Sequence, residues 1–278
     1  MLIKILILAF IIIFTLYLYL ISPRRSKRNE LSSLLPLNFA HRGYFSKTQR
    51  VPENSLLAFE LAIQKNMGIE LDVHLTKDKQ LVVFHDDTLE RMCGLPQRVE
   101  STTYHTMQTL FLMGSSEKIP LLSEVLDLVD GKVPLLIELK MPTPNTTLCS
   151  AVYALLADYN GSFLIQSFNP LALRWFKKHA PHILRGQLSS GFTKERPSIP
   201  FIYCFLVQHL LTNCIARPDF ITYHAPDTAN ISLLINRLLY KIPIGVWTLR
   251  SEEMYKKCLN KYSILIFEKF KNMQLHKH

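Results

Sequence analysis

Cysteine spacing that could build a metal module or a disulfide framework is missing from this chain of 278 residues. Its five thiols, Cys93, Cys149, Cys204, Cys214 and Cys258, are odd in number and scattered. They read as reduced structural cysteines. There is no internal repeat and no low-complexity stretch. Charged residues are only 19% of a chain that is 48% apolar, so a buried core is expected rather than wholesale disorder. A net charge of +10 raises nucleic acid as a partner. No aromatic-interleaved basic block or helix-turn-helix pattern accompanies that charge, and nucleic acid is excluded.

Charge is also absent from Ile5 to Ile21. About 20 apolar residues cross a bilayer, and Leu20-Ile21-Ser22-Pro23 leads into charges with no small-residue cleavage pattern. Residues 1–22 are therefore expected to be an uncleaved transmembrane anchor rather than a removed signal peptide. Arg24, Arg25, Lys27 and Arg28 crowd one flank, against Lys4 and the amino terminus on the other. The positive-inside rule then places the following domain of a single-pass membrane protein on the cytoplasmic side. Residues 23–36 read as a basic juxtamembrane linker, whose Lys and Arg gain about 1 kcal/mol each beside an anionic leaflet.

What is present is a regular alternation. Strand-like runs fall at Leu37–His41, Gly68–Leu75, Val133–Lys140, Ser162–Ser167, Ile183–Gln187, Asp219–Tyr223, Ile244–Thr248 and Ser263–Phe267. Helical patterns lie between them at Asn54–Asn66, Leu122–Val129, Asn145–Asp158, Pro170–His179, Thr228–Leu239 and Ser251–Asn260, with Asn54 and Ser251 as expected N-caps. Eight strands alternating with helices in about 250 residues indicate an α/β fold of the (β/α)8 TIM-barrel type over residues 37–278. Leu81–His85 is a ninth run, too close to the second for a crossover helix, and reads as a hairpin. Residues 86–120 carry no period and are expected to form an excursion over the barrel mouth. Ile199–Ile215 is apolar nearly all round. It reads as a buried helix or, more sharply, as a monotopic helix at a membrane surface.

Reactive groups sit at the ends of these runs: His41-Arg42-Gly43, Glu70-Leu-Asp72, His85-Asp86 and Glu138-Leu-Lys140. Two-residue spacing on a strand sends Glu70 and Asp72 from the same face. In a barrel all such ends meet on one rim. Glu70, Asp72 and Glu138 offer hard oxygens to a divalent cation such as Mg²⁺ or Ca²⁺. His41 and His85 could take and give a proton across a phosphodiester, and Arg42 and Lys140 could hold its oxygens. Singly these are weak signals, since a Glu-x-Lys pair alone could be a surface ion pair worth at most about 1 kcal/mol. Charges inside strands as apolar as Met67–Val73 and Leu135–Leu139 are expensive unless they bind something.

These residues resemble the glycerophosphodiester phosphodiesterases, of the phosphatidylinositol-specific phospholipase C-like superfamily. The matching segments are Ala-His-Arg-Gly at 40–43, Pro-Glu-Asn-Ser at 52–55, Glu-Leu-Asp-Val-His-Leu-Thr-Lys-Asp at 70–78 and Val-Val-Phe-His-Asp-Asp-Thr-Leu-Glu-Arg at 82–91. Ile-Glu-Leu-Lys at 137–140, Gln-Ser-Phe at 166–168 and Val-Trp-Thr at 246–248 complete them. The resemblance implies a metal on Glu70, Asp72 and Glu138, an acid–base pair in His41 and His85, and phosphate contacts from Arg42 and Lys140. It also implies that Trp247 lines the mouth and that Glu53 and Asn54 brace the first loop. The implied reaction releases sn-glycerol 3-phosphate and an alcohol. A lysophospholipase D acting on lipid diesters is the alternative, and a non-catalytic phosphate- or lipid-binding protein is a more distant one. Two departures stand out: Ile264-Leu-Ile-Phe-Glu268 runs into Lys-Phe-Lys where the family carries Thr-Asp-x-Pro, and Ser55 replaces the usual Thr.

Overall fold

Along the barrel strands one face stays apolar while the other turns from apolar to polar toward the carboxyl end. In β1 (Leu37–His41) Phe39 precedes His41; in β2 (Gly68–Leu75) Gly68 precedes Glu70 and Asp72; in β4 (Leu135–Leu139) Leu136 precedes Glu138. Alternate residues share a face, so one sequence pattern builds an apolar floor beneath a polar rim. The computed structural model that shows this describes residues 1–24, 31, 35, 37–46, 48, 50–195 and 199–268. Arg25, Lys27 and Arg28 of the expected linker, and the basic tail after Glu268, lie outside the described residues.

The other strands are β3 (Leu81–Val83), β5 (Phe163–Ser167), β6 (Arg185–Ser189), β7 (Phe220–His224), β8 (Ile244–Leu249) and β9 (Ile264–Phe267). All except β3 run parallel and close through β1–β2 and β1–β9 pairing into an eight-stranded barrel. β3 pairs antiparallel with the end of β2, Val73 facing Val83, which is the expected hairpin. Phe39, Leu136, Leu164, Phe220, Ile264 and Ile266 fill the floor, together with Leu31. Gly186 makes room there: a Cβ on it would lie 2.1 Å from the Phe220 ring. Ile69, Leu71, Val73, Leu135 and Ile137 face outward, into the core shared with the helices.

The principal helices are α1 (Leu2–Ile21), α2 (Leu56–Gln64), α3 (Leu122–Val129), α4 (Thr147–Leu156), α5 (Pro170–His179), α6 (Phe201–Gln208), α7 (Ile231–Leu238) and α8 (Glu252–Leu259). Ser251 caps α8 as expected, accepting from Met254 N. The α2 cap is Ser55, which accepts from Ala58 N, and not Asn54. Asn54 stands one residue earlier with φ 55°, and its side chain is spent elsewhere. The seventh helix begins at Ile231 rather than Thr228, because Asn230 caps it and Ala225–Asp227 forms a separate turn. Residues 86–120 form an excursion of short helical turns. Their own core joins Phe84, Leu89, Met92, Val99, Met107 and Leu112. The 199–215 segment is not buried all round: α6 turns Cys204 and Val207 inward and leaves Phe201 and Ile202 exposed.

α1 is long and apolar enough to cross a membrane, and its last turn is tied to the barrel. Asn213 Nδ2 donates to Ile21 O at 3.0 Å, Arg217 Nη1 to Tyr19 O at 3.0 Å, and the Tyr240 hydroxyl to Leu18 O at 2.8 Å. These side chains satisfy carbonyls that a helix end leaves open, and the Arg217 charge complements the helix dipole. Tyr17 meets Ser232 at 2.8 Å, and Arg24 forks onto Asp219 at 2.6 and 2.8 Å.

Candidate active site

Parallel register brings the distant residues level. His41 stands opposite Glu70, and Asp72 opposite Glu138. Glu70, Asp72 and Glu138 each present an oxygen within 4.8 Å of the others, and all three are buried. The β1–α2 turn closes over them. Arg42 (φ 57°) and Gly43 (φ 81°) adopt left-handed backbone, which directs Arg42 N onto Glu70 Oε2 at 3.0 Å. Gly43 is required twice over, by its φ and because a Cβ would sit 2.9 Å from Ala58 and Phe59. Asn54 N donates to Arg42 O at 2.9 Å, and Asn54 Nδ2 to Asp72 Oδ2 at 2.8 Å. That bond is the use to which the Asn54 side chain is put.

Glu53 accepts from Arg42 Nη1 at 2.6 Å and from Arg91 Nη2 at 2.6 Å. Arg91 continues to Asp86 at 2.6 Å, and Asp86 to His85 Nδ1 at 2.6 Å. One polar chain thus links the loop after β1 to the loop after β3. Phe84 N, on Asp72 O at 2.9 Å, places His85 beside the carboxylates. His74, one pleat beyond Asp72, supports His85 from behind, with Nε2 3.3 Å from His85 O. His41 is held through Nδ1, 3.2 Å from Glu268 Oε1, and Arg250 steadies Glu268 with two bonds of 3.1 Å.

The electrostatics follow from burial. Desolvation raises the pKa of Glu70, reinforced by the neighbouring Asp72 and Glu138 charges. Glu138 is raised for the same first reason, although Lys140 opposes it. Asp72 is the exception: burial would raise it, but Lys140, His85 and Arg42 together hold it below the usual carboxylate range. Lys140 Nζ lies 3.0 Å from Asp72 Oδ1 and 2.5 Å from Glu138 Oε1. The ammonium assigned to phosphate in the sequence is here engaged with two of the carboxylates. His41 is lowered to about 4 by burial, partly offset by its bond to Glu268.

Three buried carboxylates against Arg42 and Lys140 leave an uncompensated negative charge. Hard oxygens in that state fit a divalent cation. Among the described residues Arg42 Nε and Trp247 Nε1 are buried donors with no hydrogen-bond partner. Trp247 stands across the rim against Phe168 and His224, with ring centroids 5.6 and 5.1 Å away. A cleft of about 440 Å³ opens beside Glu138 and Lys140, lined further by Met141, Phe168, Ile199, Pro200 and Tyr203, within the usual size of a small-ligand site.

Sequence reasoning named the three clustered carboxylates and the imidazoles of His41 and His85, but not Glu268, Arg250, Arg91 or His74. Glu268 carried a signal, a charge closing the apolar run 264–267. Arg91 lay inside a matched segment without a role.

Comparisons with known proteins bear on the family and the fold. The profile of the glycerophosphoryl diester phosphodiesterase family matches residues 41–265, more than half of the chain. A glycerophosphodiester phosphodiesterase of Caldanaerobacter subterraneus subsp. tengcongensis is 38% identical over 167 residues, covering 55% of this chain and 66% of its own length. A lysophospholipase D of Rattus norvegicus is 28% identical over 206 residues, covering 68% of this chain and 58% of its own. The match to each spans less than two thirds of that relative. In structure, an Oleispira antarctica phosphodiesterase in complex with the product sn-glycerol-3-phosphate superposes with a TM-score of 0.68 at 23% identity, over 85% of this chain and 94% of that one. At that identity the likeness concerns the fold.

Proposed function

For a chain that belongs to the glycerophosphoryl diester phosphodiesterase family, we propose hydrolysis of glycerophosphodiesters to sn-glycerol 3-phosphate and an alcohol. The observation that carries this is the single rim on which His41, His85 and three buried carboxylates converge. Glu70, Asp72 and Glu138 hold a divalent cation, Mg²⁺ or Ca²⁺, which when bound offsets charge building on the phosphate. Arg42, whose Nε has no hydrogen bond and lies 3.6 Å from Asp72 Oδ2, draws a non-bridging oxygen. Lys140 sets the charge of Asp72 and Glu138 and stands within reach of the same phosphate.

His41, neutral because it is buried, takes the proton from the attacking hydroxyl, and His85, braced by Asp86, gives one to the leaving alkoxide. If the substrate's own glycerol hydroxyl attacks, an oxygen–phosphorus bond forms as the alcohol's breaks. Water then opens the resulting cyclic phosphate. Phosphorus NMR during turnover tests that order: a transient cyclic diester supports it, and direct appearance of the monoester refutes it. His41→Ala and His85→Ala should each lower turnover by at least about 10²-fold with unchanged thermal melting. Near-normal activity in either would remove that residue from its role.

A second reading keeps the chemistry and takes a lysolipid as the diester. It is favoured by the apolar Ile199, Pro200 and Tyr203 at the cleft and by the similarity to a lysophospholipase D. Rates on glycerophosphocholine and on a lysophospholipid at equal metal concentration separate the two. We also read residues 1–22 as a retained single-pass anchor and 23–36 as the linker, with the barrel on the cytoplasmic side. Protease protection of the carboxyl-terminal domain in sealed vesicles tests that side.

A further inference from the structure

The outward face of α7 is unlike that of a barrel helix in water. Outer helices normally turn polar side chains to solvent. Here Ile231 is 71% exposed, Leu234 47% and Leu238 60%, while Ser232 and Asn236 of the same helix are buried. The exposed positions recur at i, i+3 and i+7, a single apolar stripe. α6 repeats the arrangement with Phe201, Ile202 and Phe205 exposed. The two stripes adjoin. Asn230, the α7 cap, donates to Gln208 O at 3.2 Å and lies 3.5 Å from His209, whose ring packs 4.6 Å from that of Phe205. The foot of α1 touches the same helix through Tyr17 on Ser232, and Tyr240, just past the end of α7, bonds Leu18 O.

Length sets the depth. Twenty helical residues rise about 30 Å, which is the thickness of a hydrocarbon core, whereas residues 2–16 alone rise only about 22 Å. A span made by α1 therefore needs its last turn, the turn packed against the barrel, and this brings α7 to the hydrocarbon boundary. We propose that the joined apolar stripes of α6 and α7 lie in the bilayer interface, as a second, monotopic contact beside the span. This rests on the reading of α1 as membrane-spanning. Interfacial helices sink an apolar face about 5–10 Å into that layer and flank it with basic residues. Arg237, within α7, and Lys241, just past its end, flank the α7 stripe here. Continuity with the span favours lipid over a protein partner for this face. The stripe also ends at the chemistry, because Ile199, Pro200 and Tyr203, at the start of α6, line the cleft that holds Glu138 and Lys140. A diester leaving the leaflet reaches the rim along an apolar surface.

The test places the photo-crosslinking residue p-benzoylphenylalanine at one position at a time in the full chain, reconstituted in phosphatidylcholine–phosphatidylserine vesicles. Lipid adducts are counted by mass spectrometry. Position 8 reports the span, positions 205 and 238 the stripes, and position 127, on α3 across the barrel, the background. The expected result is adduct at 205 and 238 comparable with that at 8, and background at 127. Adduct at 8 with 205 and 238 at background would overturn the interfacial contact and leave the anchor standing. Background at 8 as well would overturn the anchor and this inference with it.

Discussion

Glu268 shows how far a single side chain can be read. As the closing residue of an apolar run it was visible only as a departure from the family pattern. Its partner, His41, lies 227 residues away, and only barrel closure brings the two together. Burial would raise the Glu268 pKa, but the bonds from His41 and Arg250, and their charges, outweigh it and leave the carboxylate ionised, with a pKa of about 2. Its carboxylate in turn raises the proton affinity of His41 against the larger effect of burial. Glu268→Gln should therefore shift the acid limb of the kcat/KM profile to lower pH. The plateau should fall by about 10²-fold, with little change in melting temperature. An unmoved limb would make Glu268 a purely structural residue. The carboxylates and imidazoles were legible because charge inside an apolar strand is rare. Arg91 and Arg250 were not, because a surface arginine looks the same in sequence whether or not it braces a site.

At the scale of elements, strand positions were legible from periodicity: Leu37–His41 and Gly68–Leu75 match at both ends, and no other strand end is off by more than two residues. Val133–Lys140 shortens to Leu135–Leu139; Lys140 still donates its backbone N–H to Val73 O at 3.0 Å and turns its ammonium onto Asp72. The β1–α2 turn was misread at its cap because Asn and Ser are both good caps. Only the left-handed backbone at Asn54 decides between them. Gly43 carries the same turn. Gly43→Ala should destabilise the fold by roughly 1–3 kcal/mol, the cost of a strained left-handed residue, and weaken divalent-ion binding by displacing Arg42 from Glu70. Denaturant unfolding and calorimetry check both. A variant as stable as the parent, with equal ion affinity, would mean that the turn has another conformation open to it. The 86–120 excursion had no period to read, since turns of three or four residues are too short to show one. Its apolar residues nevertheless make a small core of their own.

For the whole molecule, acid sensitivity follows from buried neutral imidazoles. His41 and His74 both have pKa values lowered to about 4 by burial. The unfolded chain, with His near 6.5, binds more protons between those values, so stability falls as pH drops through that window and is full above it. His74→Phe should flatten part of the slope of melting temperature between pH 7 and pH 5; an unchanged slope would show that His74 is protonated in the fold. The barrel itself was legible from eight alternations. The docking of α1 was not, because Arg217, Asn213 and Tyr240 carry no mark of the helix they hold. The central claim is that one rim shares one ion and two imidazoles for diester cleavage. Phosphorus NMR of glycerophosphocholine with the full chain and Mg²⁺ or Ca²⁺, followed by chelator, addresses it most directly. The expected result is conversion of the diester signal to sn-glycerol 3-phosphate that stops on chelation. A diester signal that persists with either ion, or conversion that continues at full rate after chelation, would contradict it.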